Sequence, residues 1–99
     1  MLNINKTIDG TKAVVALEGR LDTVTSPDLE KSLQESVEGL TELVFDFKDL
    51  EYISSAGLRV LLATHKTMSK QGDMKIANVN STINEIFDVT GFSDILTVV

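Results

Sequence analysis

The sequence predicts an α/β fold: a mixed, largely parallel β-sheet that opens with an antiparallel hairpin and carries helices packed on it. Short segments rich in β-branched residues alternate with segments whose apolar residues recur at helical spacing. The pair Asp9-Gly10, a preferred hairpin dipeptide, lies near the junction of the first two strand-like segments. Because strands that alternate with helices are joined by right-handed crossovers, most of the sheet should be parallel.

The first third of the chain contains the hairpin and one helix. Residues 2–8 alternate apolar and polar side chains, and residues 13–17 are apolar, so both segments are predicted strands. The run Thr25-Ser26-Pro27-Asp28 then offers a capping hydroxyl, a proline in the first turn and an acidic residue at the positive helix end. Gly39 is the predicted left-handed stop. The apolar face of this helix consists of Leu29, Leu33, Val37 and Leu40.

The middle third contains a strand followed by a second helix. Residues 43–47 are almost continuously apolar and too few for a helix, which is typical of a central strand covered by other elements. From Ala56 the apolar residues return to helical spacing, and this second helix is predicted to end near Gly72.

The last third repeats the alternation of strand and helix. Residues 74–77 form a short predicted strand, and Asn80 or Ser81 caps a third helix that Gly91 ends. Residues 95–99 are a final strand or an extended tail. We therefore expect a single domain over residues 1–99, because no linker, repeat or low-complexity run divides the chain.

Composition excludes several classes of function. The formal net charge is −6 and the nine Lys and Arg residues are scattered, so neither nucleic acid nor a membrane is an expected partner. The chain has no cysteine, and therefore no disulfide or thiolate metal site. The N-terminal residues alternate in polarity and do not form a signal peptide or membrane span, so we expect a cytoplasmic protein.

The segment Lys48–Gly57 joins the middle strand to the second helix, a place where α/β proteins gather their sites. An anionic group would be favoured at Ser55 by the helix N-terminus. A hydrolase nucleophile is excluded, because Ile53 replaces the first glycine of the nucleophile elbow and His65 lies about 15 Å along the helix. On local pattern alone, the simplest role of Ser54 or Ser55 is an N-cap.

The sequence also resembles a known family. The stretch from Asp49 to Leu62 (DLEYISSAGLRVLL) resembles the signature of STAS domains, in particular bacterial anti-sigma factor antagonists. Residues 17–22 resemble the end of the family's second strand, and residues 83–92 resemble its third helix. The resemblance covers almost the whole chain.

This resemblance implies a non-enzymatic regulatory protein without a cofactor or metal. It implies that an anti-sigma factor serine kinase phosphorylates Ser55, the serine two residues before Gly57. The unphosphorylated antagonist would bind that kinase and release a sigma factor, and a serine phosphatase would restore it. Where many relatives have an acidic residue before the phosphorylated serine, this chain has Ser54, which is itself a candidate for modification.

The expected partner-binding residues lie around the serine turn. Asp22 follows one strand and Asp46 lies near the predicted end of another, so both should approach the turn at one end of the sheet. A magnesium site formed by the two is a less favoured interpretation. The full set comprises Asp22, Thr23, Asp46, Ser54, Ser55, Gly57 and Arg59.

Two alternatives stay open at this point. The chain could be a STAS module of another system, such as a stressosome-like assembly or a lipid-transport complex, without control by a kinase. It could also be a nucleotide-binding domain, although it lacks a glycine-rich phosphate loop. The sequence leaves the oligomeric state open.

Overall fold

A computed structural model describes residues 2–99 of the chain. In chain order the elements are β1 (Leu2–Asp9), β2 (Lys12–Leu21), α1 (Ser26–Ser36), β3 (Glu42–Ile53), α2 (Ser55–Met68), β4 (Asp73–Ala77), α3 (Ser81–Thr90), a 3₁₀ turn (Phe92–Asp94) and β5 (Thr97–Val98).

The five strands form one sheet in the order β1-β2-β3-β4-β5. The β1–β2 pair is antiparallel and the other three pairs are parallel. The predicted mixed α/β sheet with an opening hairpin is therefore confirmed. Because each parallel strand is the neighbour of the one before it, right-handed crossovers bring the three helices onto one face of the sheet.

The core lies between the helices and that face. Alternate residues of β2, β3 and β4 point into it and are buried, while their neighbours on the opposite face are half-buried or exposed. The bulkiest fully buried side chains are Phe45, Phe47 and Phe87, and the two strand phenylalanines lie with ring centroids 6.0 Å apart. The three helices therefore pack on this one face of the sheet.

The hairpin turn lies one residue later than the Asp9-Gly10 pair suggested. Asp9 pairs with Lys12, so Gly10 and Thr11 form the turn. Gly10 has φ +63°, a left-handed conformation that glycine adopts without a steric penalty. Glycine is therefore at the first turn position, and Asp9 is the last residue of β1.

Two helix ends differ from the predictions. Thr25 is the residue before α1, but its hydroxyl makes no cap hydrogen bond to the helix. Helix α1 ends at Ser36, and Gly39 is left-handed (φ +81°) in the loop that follows. Helix α3 follows its prediction, since the Asn80 side chain accepts a hydrogen bond from the Ile83 N–H at 2.9 Å and left-handed Gly91 ends the helix.

Strand β3 is much longer than the apolar run at residues 43–47. It continues to Ile53 because two residue insertions, or β-bulges, shift its register with β2. The bulges break the alternation, so Leu50 and Ile53 are buried although polar residues precede them. The segment predicted as a ten-residue loop is therefore mostly strand, and a single residue separates β3 from α2.

Candidate functional site

Ser54 is the one residue between β3 and α2, and its backbone is fully engaged. Its N–H donates to the Leu21 carbonyl at 2.9 Å, and its own carbonyl accepts from the Leu58 N–H at 2.9 Å. Its hydroxyl accepts from the Gly57 N–H at 3.5 Å, a long hydrogen bond. Ser54 is half-buried and serves as the N-cap of α2.

Ser55 is the first residue of α2 and has a different environment. Its side chain is exposed. Within residues 2–99 its hydroxyl makes no hydrogen bond to another protein group. Of the two adjacent serines, Ser55 is therefore the one whose oxygen an external group can reach.

Gly57 fixes how closely α2 approaches the sheet. The residue is buried. A Cβ atom at this position would lie 2.7 Å from Leu21 Cγ and 2.8 Å from Ile53 Cγ1. Both distances are shorter than a contact between non-bonded carbon atoms. The first turn of α2 thus packs directly on the ends of β2 and β3, which positions Ser55 at the carboxyl end of the sheet.

The loop after β2 lies beside this turn and is held by the Asp22 carboxylate. Asp22 Oδ1 accepts from the backbone N–H groups of Val24 and Thr25, at 3.0 and 3.1 Å. The Thr25 hydroxyl can donate a hydrogen bond to the same Asp22 oxygen at 3.2 Å or to the Arg20 carbonyl at 2.8 Å. It also accepts a hydrogen bond from the Asp22 N–H at 2.9 Å. The Thr25 hydroxyl therefore stabilises the loop and not the helix.

The hydrogen bonds to Asp22 favour its ionised form. The backbone N–H of Thr25, followed by the Thr25 hydroxyl and the Val24 N–H, lowers the pKa of the Asp22 carboxyl from its ordinary value of 3.8. Since its carboxylate is directed into its own loop, the role of Asp22 in the structure is to order that loop. Thr23 and Val24 are consequently exposed at a defined position.

A shallow groove runs between this loop and the start of α2. Thr23 lies on one side of the groove and Arg59 on the other. Both side chains are exposed. The remaining lining residues are Ser26, Pro27, Glu30, Ala56 and Val60. The structure thus brings together six of the residues predicted from sequence: Asp22, Thr23, Ser54, Ser55, Gly57 and Arg59.

Asp46 does not join this group. It lies seven positions before Ile53, the last residue of β3, a distance on the order of 20 Å along the strand. Its Oδ1 instead accepts hydrogen bonds from Asn78 Nδ2 at 2.9 Å and the Lys48 N–H at 3.0 Å, and these lower the pKa of its carboxyl. The expectation that Asp46 lies beside the serine turn is wrong, because it assumed that β3 ends near Phe47.

The separation of the two aspartates removes the basis of the magnesium interpretation. Asp22 is held at the end of β2, and Asp46 lies mid-strand against Asn78. Throughout residues 2–99 no group of three or more His, Asp or Glu side chains could hold a metal ion. His65 lies ten residues along α2 from Ser55, about 15 Å by helical rise, so it cannot take a proton from the Ser55 hydroxyl.

Two features of the site were missed by the sequence analysis. Val24 is 82% exposed at the tip of the loop, and an apolar residue within a polar loop was the available signal. Arg20 lies over the Tyr52 ring, 4.6 Å from its centroid. Arg20 and Tyr52 are cross-strand partners only because of the bulges in β3, so nothing in their spacing indicated the contact.

Comparison with known proteins places this geometry in a family. The family model described as "STAS domain" matches residues 3–99. The chain is 34% identical over 83 residues to the anti-sigma-B factor antagonist of Bacillus subtilis, an alignment that covers 83% of this chain and 76% of that protein.

Solved structures agree on the fold. An anti-sigma factor antagonist from Mycobacterium paratuberculosis superposes with a TM-score of 0.89 at 23% identity, covering 99% of this chain and 85% of that one. The phosphorylated form of the Bacillus cell fate determinant SpoIIAA superposes with a TM-score of 0.75 at 16% identity, covering 100% and 91%. Among residues 2–99 no helix has the length and hydrophobicity needed to cross a membrane.

The family match spans the serine turn, the loop after β2 and all five strands. The relative from B. subtilis exceeds 30% identity over most of the chain. This chain belongs to the STAS domain family.

Proposed function

We propose that this protein is an anti-sigma factor antagonist whose unmodified form binds an anti-sigma factor kinase and thereby releases a sigma factor. The observation that carries the proposal is the contrast between the two serines, since Ser54 is half-buried as a cap while Ser55 is exposed and its hydroxyl makes no hydrogen bond within residues 2–99. Ser55 is the proposed site of phosphorylation.

The names of similar proteins support the regulatory class. The relative from B. subtilis is an anti-sigma-B factor antagonist, and the structural neighbour from M. paratuberculosis is an anti-sigma factor antagonist. SpoIIAA, which shares the fold, has been solved in a phosphorylated form. A fold of this kind is therefore compatible with a phosphate group.

The proposed docking surface consists of the loop after β2, the serine turn and the first turns of α2. Hydrogen bonds to Asp22 order the loop, so that Thr23 and the Ser55 hydroxyl face a partner with little further loss of conformational freedom. Arg59 borders the same surface across the groove. Asp46 is not part of this surface.

Phosphorylation would act on this surface and not on the fold. The kinase transfers the γ-phosphoryl group of ATP to Ser55 Oγ: the bond between the γ-phosphorus and its bridging oxygen breaks, ADP leaves, and the hydroxyl loses its proton. The product carries about 1.5 to 2 negative charges and three acceptor oxygens at a helix N-terminus, where an anion is favourable. A partner seated on the turn would meet new bulk and charge, and losing about 3 kcal/mol there weakens binding roughly a hundredfold.

Ser54 is the weaker acceptor in this proposal because its hydroxyl is already the cap of α2. Many relatives are expected to have an acidic residue at this position, and Asp and Ser are equally good N-caps. The difference at position 54 therefore leaves the local helix start intact. Removal of the phosphate would fall to a serine phosphatase, and a circuit built on ATP and a sigma factor implies a cytoplasmic location.

Intact-mass measurement after incubation with the anti-sigma factor kinase and ATP tests the proposal. The wild-type chain should gain the mass of one phosphate, Ser54→Ala should gain the same mass, and Ser55→Ala should gain none. An unchanged mass for the wild type would contradict the proposal and favour a STAS binding module that no kinase controls. Modification that survives in Ser55→Ala but not in Ser54→Ala would place the site at Ser54.

A further inference from the structure

Helix α2 differs in charge from the rest of the molecule. The chain carries 15 acidic residues and nine Lys and Arg residues, yet α2 contains Arg59 and Lys66, both exposed, and no acidic residue. Both other helices contain acidic residues, including Asp28 in the first turn of α1 and Glu85 in α3. The outward side of α2 is therefore a basic strip on an acidic protein.

Ser55 and Arg59 lie on that strip, one helical turn apart. They are residues i and i+4 of the same helix, and both are exposed. In this arrangement the Cβ atoms are about 5–6 Å apart, and the long side chain of the later residue tilts towards the helix N-terminus. The guanidinium of Arg59 can therefore reach the space in front of the Ser55 hydroxyl.

The Arg59 guanidinium is available to pair with an added anion. Within residues 2–99 it forms no ion pair and no side-chain hydrogen bond, and the single ion pair recorded there joins Lys12 to Glu42. Glu30 lines the same groove but does not lie within 4.0 Å of the Arg59 nitrogens. An anion placed at Ser55 would thus meet an unoccupied guanidinium.

We propose that Arg59 is the internal counter-ion of a phosphate on Ser55, binding its oxygens through two parallel N–H donors. The inference rests on the proposed function for the existence of that phosphate. Arg–phosphate pairs of this kind are charge-assisted and directional. Phosphorylation would then add an anion to the docking surface and also withdraw a basic side chain that an acidic group of the partner could otherwise contact.

The test uses protein with phosphoserine incorporated at position 55 during translation, and phosphorus NMR follows the titration of the phosphate. A neighbouring cation favours the dianion, so the second pKa of the phosphate should lie about 0.3 units lower in the wild type than in Arg59→Gln. Arg59→Lys keeps the charge without the paired donors and should give an intermediate value. Raising the salt to 1 M should abolish most of the difference.

Lys66→Gln is the matched control, because it removes the same charge from the same exposed side of α2 but lies eleven residues, about 16 Å, from Ser55. Its phosphate should titrate as in the wild type. Equal pKa values in the wild type and Arg59→Gln, or equal shifts in Arg59→Gln and Lys66→Gln, would overturn the inference. Far-UV circular dichroism should be the same for all variants, since both substituted residues are exposed.

The two proposals fail separately in this design. No kinase is needed to introduce the phosphate, so a chain that no kinase modifies would still report the Arg59 pairing. Conversely, if a kinase phosphorylates Ser55 but the pKa of the phosphate does not depend on Arg59, the proposed function stands and only the Arg59 pairing is wrong.

Discussion

Two identical side chains at positions 54 and 55 have different physical environments. Ser54 has an extended backbone and a half-buried hydroxyl that caps the helix, whereas Ser55 has a helical backbone and an exposed hydroxyl. The difference arises because β3 runs to Ile53, which leaves a single residue for the turn. Ser54, whose side chain caps the helix, and Ser55, whose side chain is exposed, are thus adjacent in the chain.

Alanine substitutions should separate these two roles. Ser54→Ala removes a cap and should lower the free energy of unfolding by about 0.5 kcal/mol, a modest amount because the hydrogen bond to Gly57 is long. Ser55→Ala removes no side-chain hydrogen bond within residues 2–99 and introduces a better helix former, so stability should stay within about 0.5 kcal/mol of the wild type. Urea denaturation measures both values. A larger loss in Ser55→Ala than in Ser54→Ala would contradict the assigned roles.

The contribution of the Asp22 carboxylate to the free energy of unfolding should fall at acid pH. Hydrogen bonds lower the pKa of Asp22 in the folded protein below 3.8, so the unfolded chain binds more protons in the interval between the two values. The stabilisation is therefore fully present above pH 3.8 and is lost as pH falls through the folded pKa.

Comparison of the wild type with Asp22→Asn measures this effect, because asparagine can accept the same hydrogen bonds but does not titrate. The stability difference between the two proteins should be constant from pH 5 to 7 and shrink as the pH falls from 3.8 through the pKa of the folded carboxyl. A difference that does not change down to pH 2 would show that the charge of Asp22 does not stabilise the loop.

At the scale of elements, the packing of α2 against β2 and β3 positions the site. Gly57 allows the first turn of the helix to lie on Leu21 and Ile53, both almost completely buried. The backbone of Ser54 continues the contact by donating to the Leu21 carbonyl. The loop after β2 and the serine turn are neighbours because the strands that precede them are paired.

Gly57→Ala should be destabilising even though alanine is the better helix former. Glycine to alanine in a helix normally adds about 1 kcal/mol, whereas a methyl group forced against two buried side chains costs about 1–3 kcal/mol. We expect a net loss of about 1 kcal/mol, and at most about 2 kcal/mol, in chemical denaturation.

Ala63→Gly is the companion variant, because Ala63 is exposed on the same helix and reports helix propensity alone. It should be destabilised by about 1 kcal/mol. If Gly57→Ala were instead stabilised by a similar amount, close packing at position 57 would not be the reason for the glycine.

The elements also show what could be predicted from the sequence. Helical spacing and capping residues predicted α2 and α3, because burial of one face imposes a period that the chain itself displays. The end of β3 could not be predicted, because its bulges depend on pairing with β2 and break the alternation at Lys48 and Asp49. The misplacement of Asp46 followed from that error alone.

The relative positions of the residues next to the serine turn were predicted more reliably than the end of β3. Ser55, Gly57 and Arg59 belong to one short segment, so their spacing along a helix determines their relative positions. Val24 and Arg20 were missed because their exposure and contacts depend on the path of the β2 end, which Asp22 and the bulges determine. The positions of residues along one helix could therefore be predicted from the sequence, whereas the register between β2 and β3 could not.

Residues 2–99 form a single sheet with helices on one face and the candidate site at the carboxyl end of its strands. The chain is acidic overall, while the outward side of α2 is basic. This asymmetry favours an approach of an acidic partner surface towards α2 and the serine turn. A phosphate at Ser55 would reverse the charge at that location without disturbing the core.

The proposed switch at Ser55 is tested by comparing how two forms of the protein bind the anti-sigma factor kinase. The forms are the unmodified chain and the chain with phosphoserine incorporated at position 55, and calorimetric titration gives the dissociation constant of each. We expect binding at least about a hundredfold weaker for the phosphorylated form, with thermal unfolding midpoints that agree within a few degrees. Equal dissociation constants, or weaker binding that arises only because the phosphorylated chain is unfolded, would contradict the proposed switch.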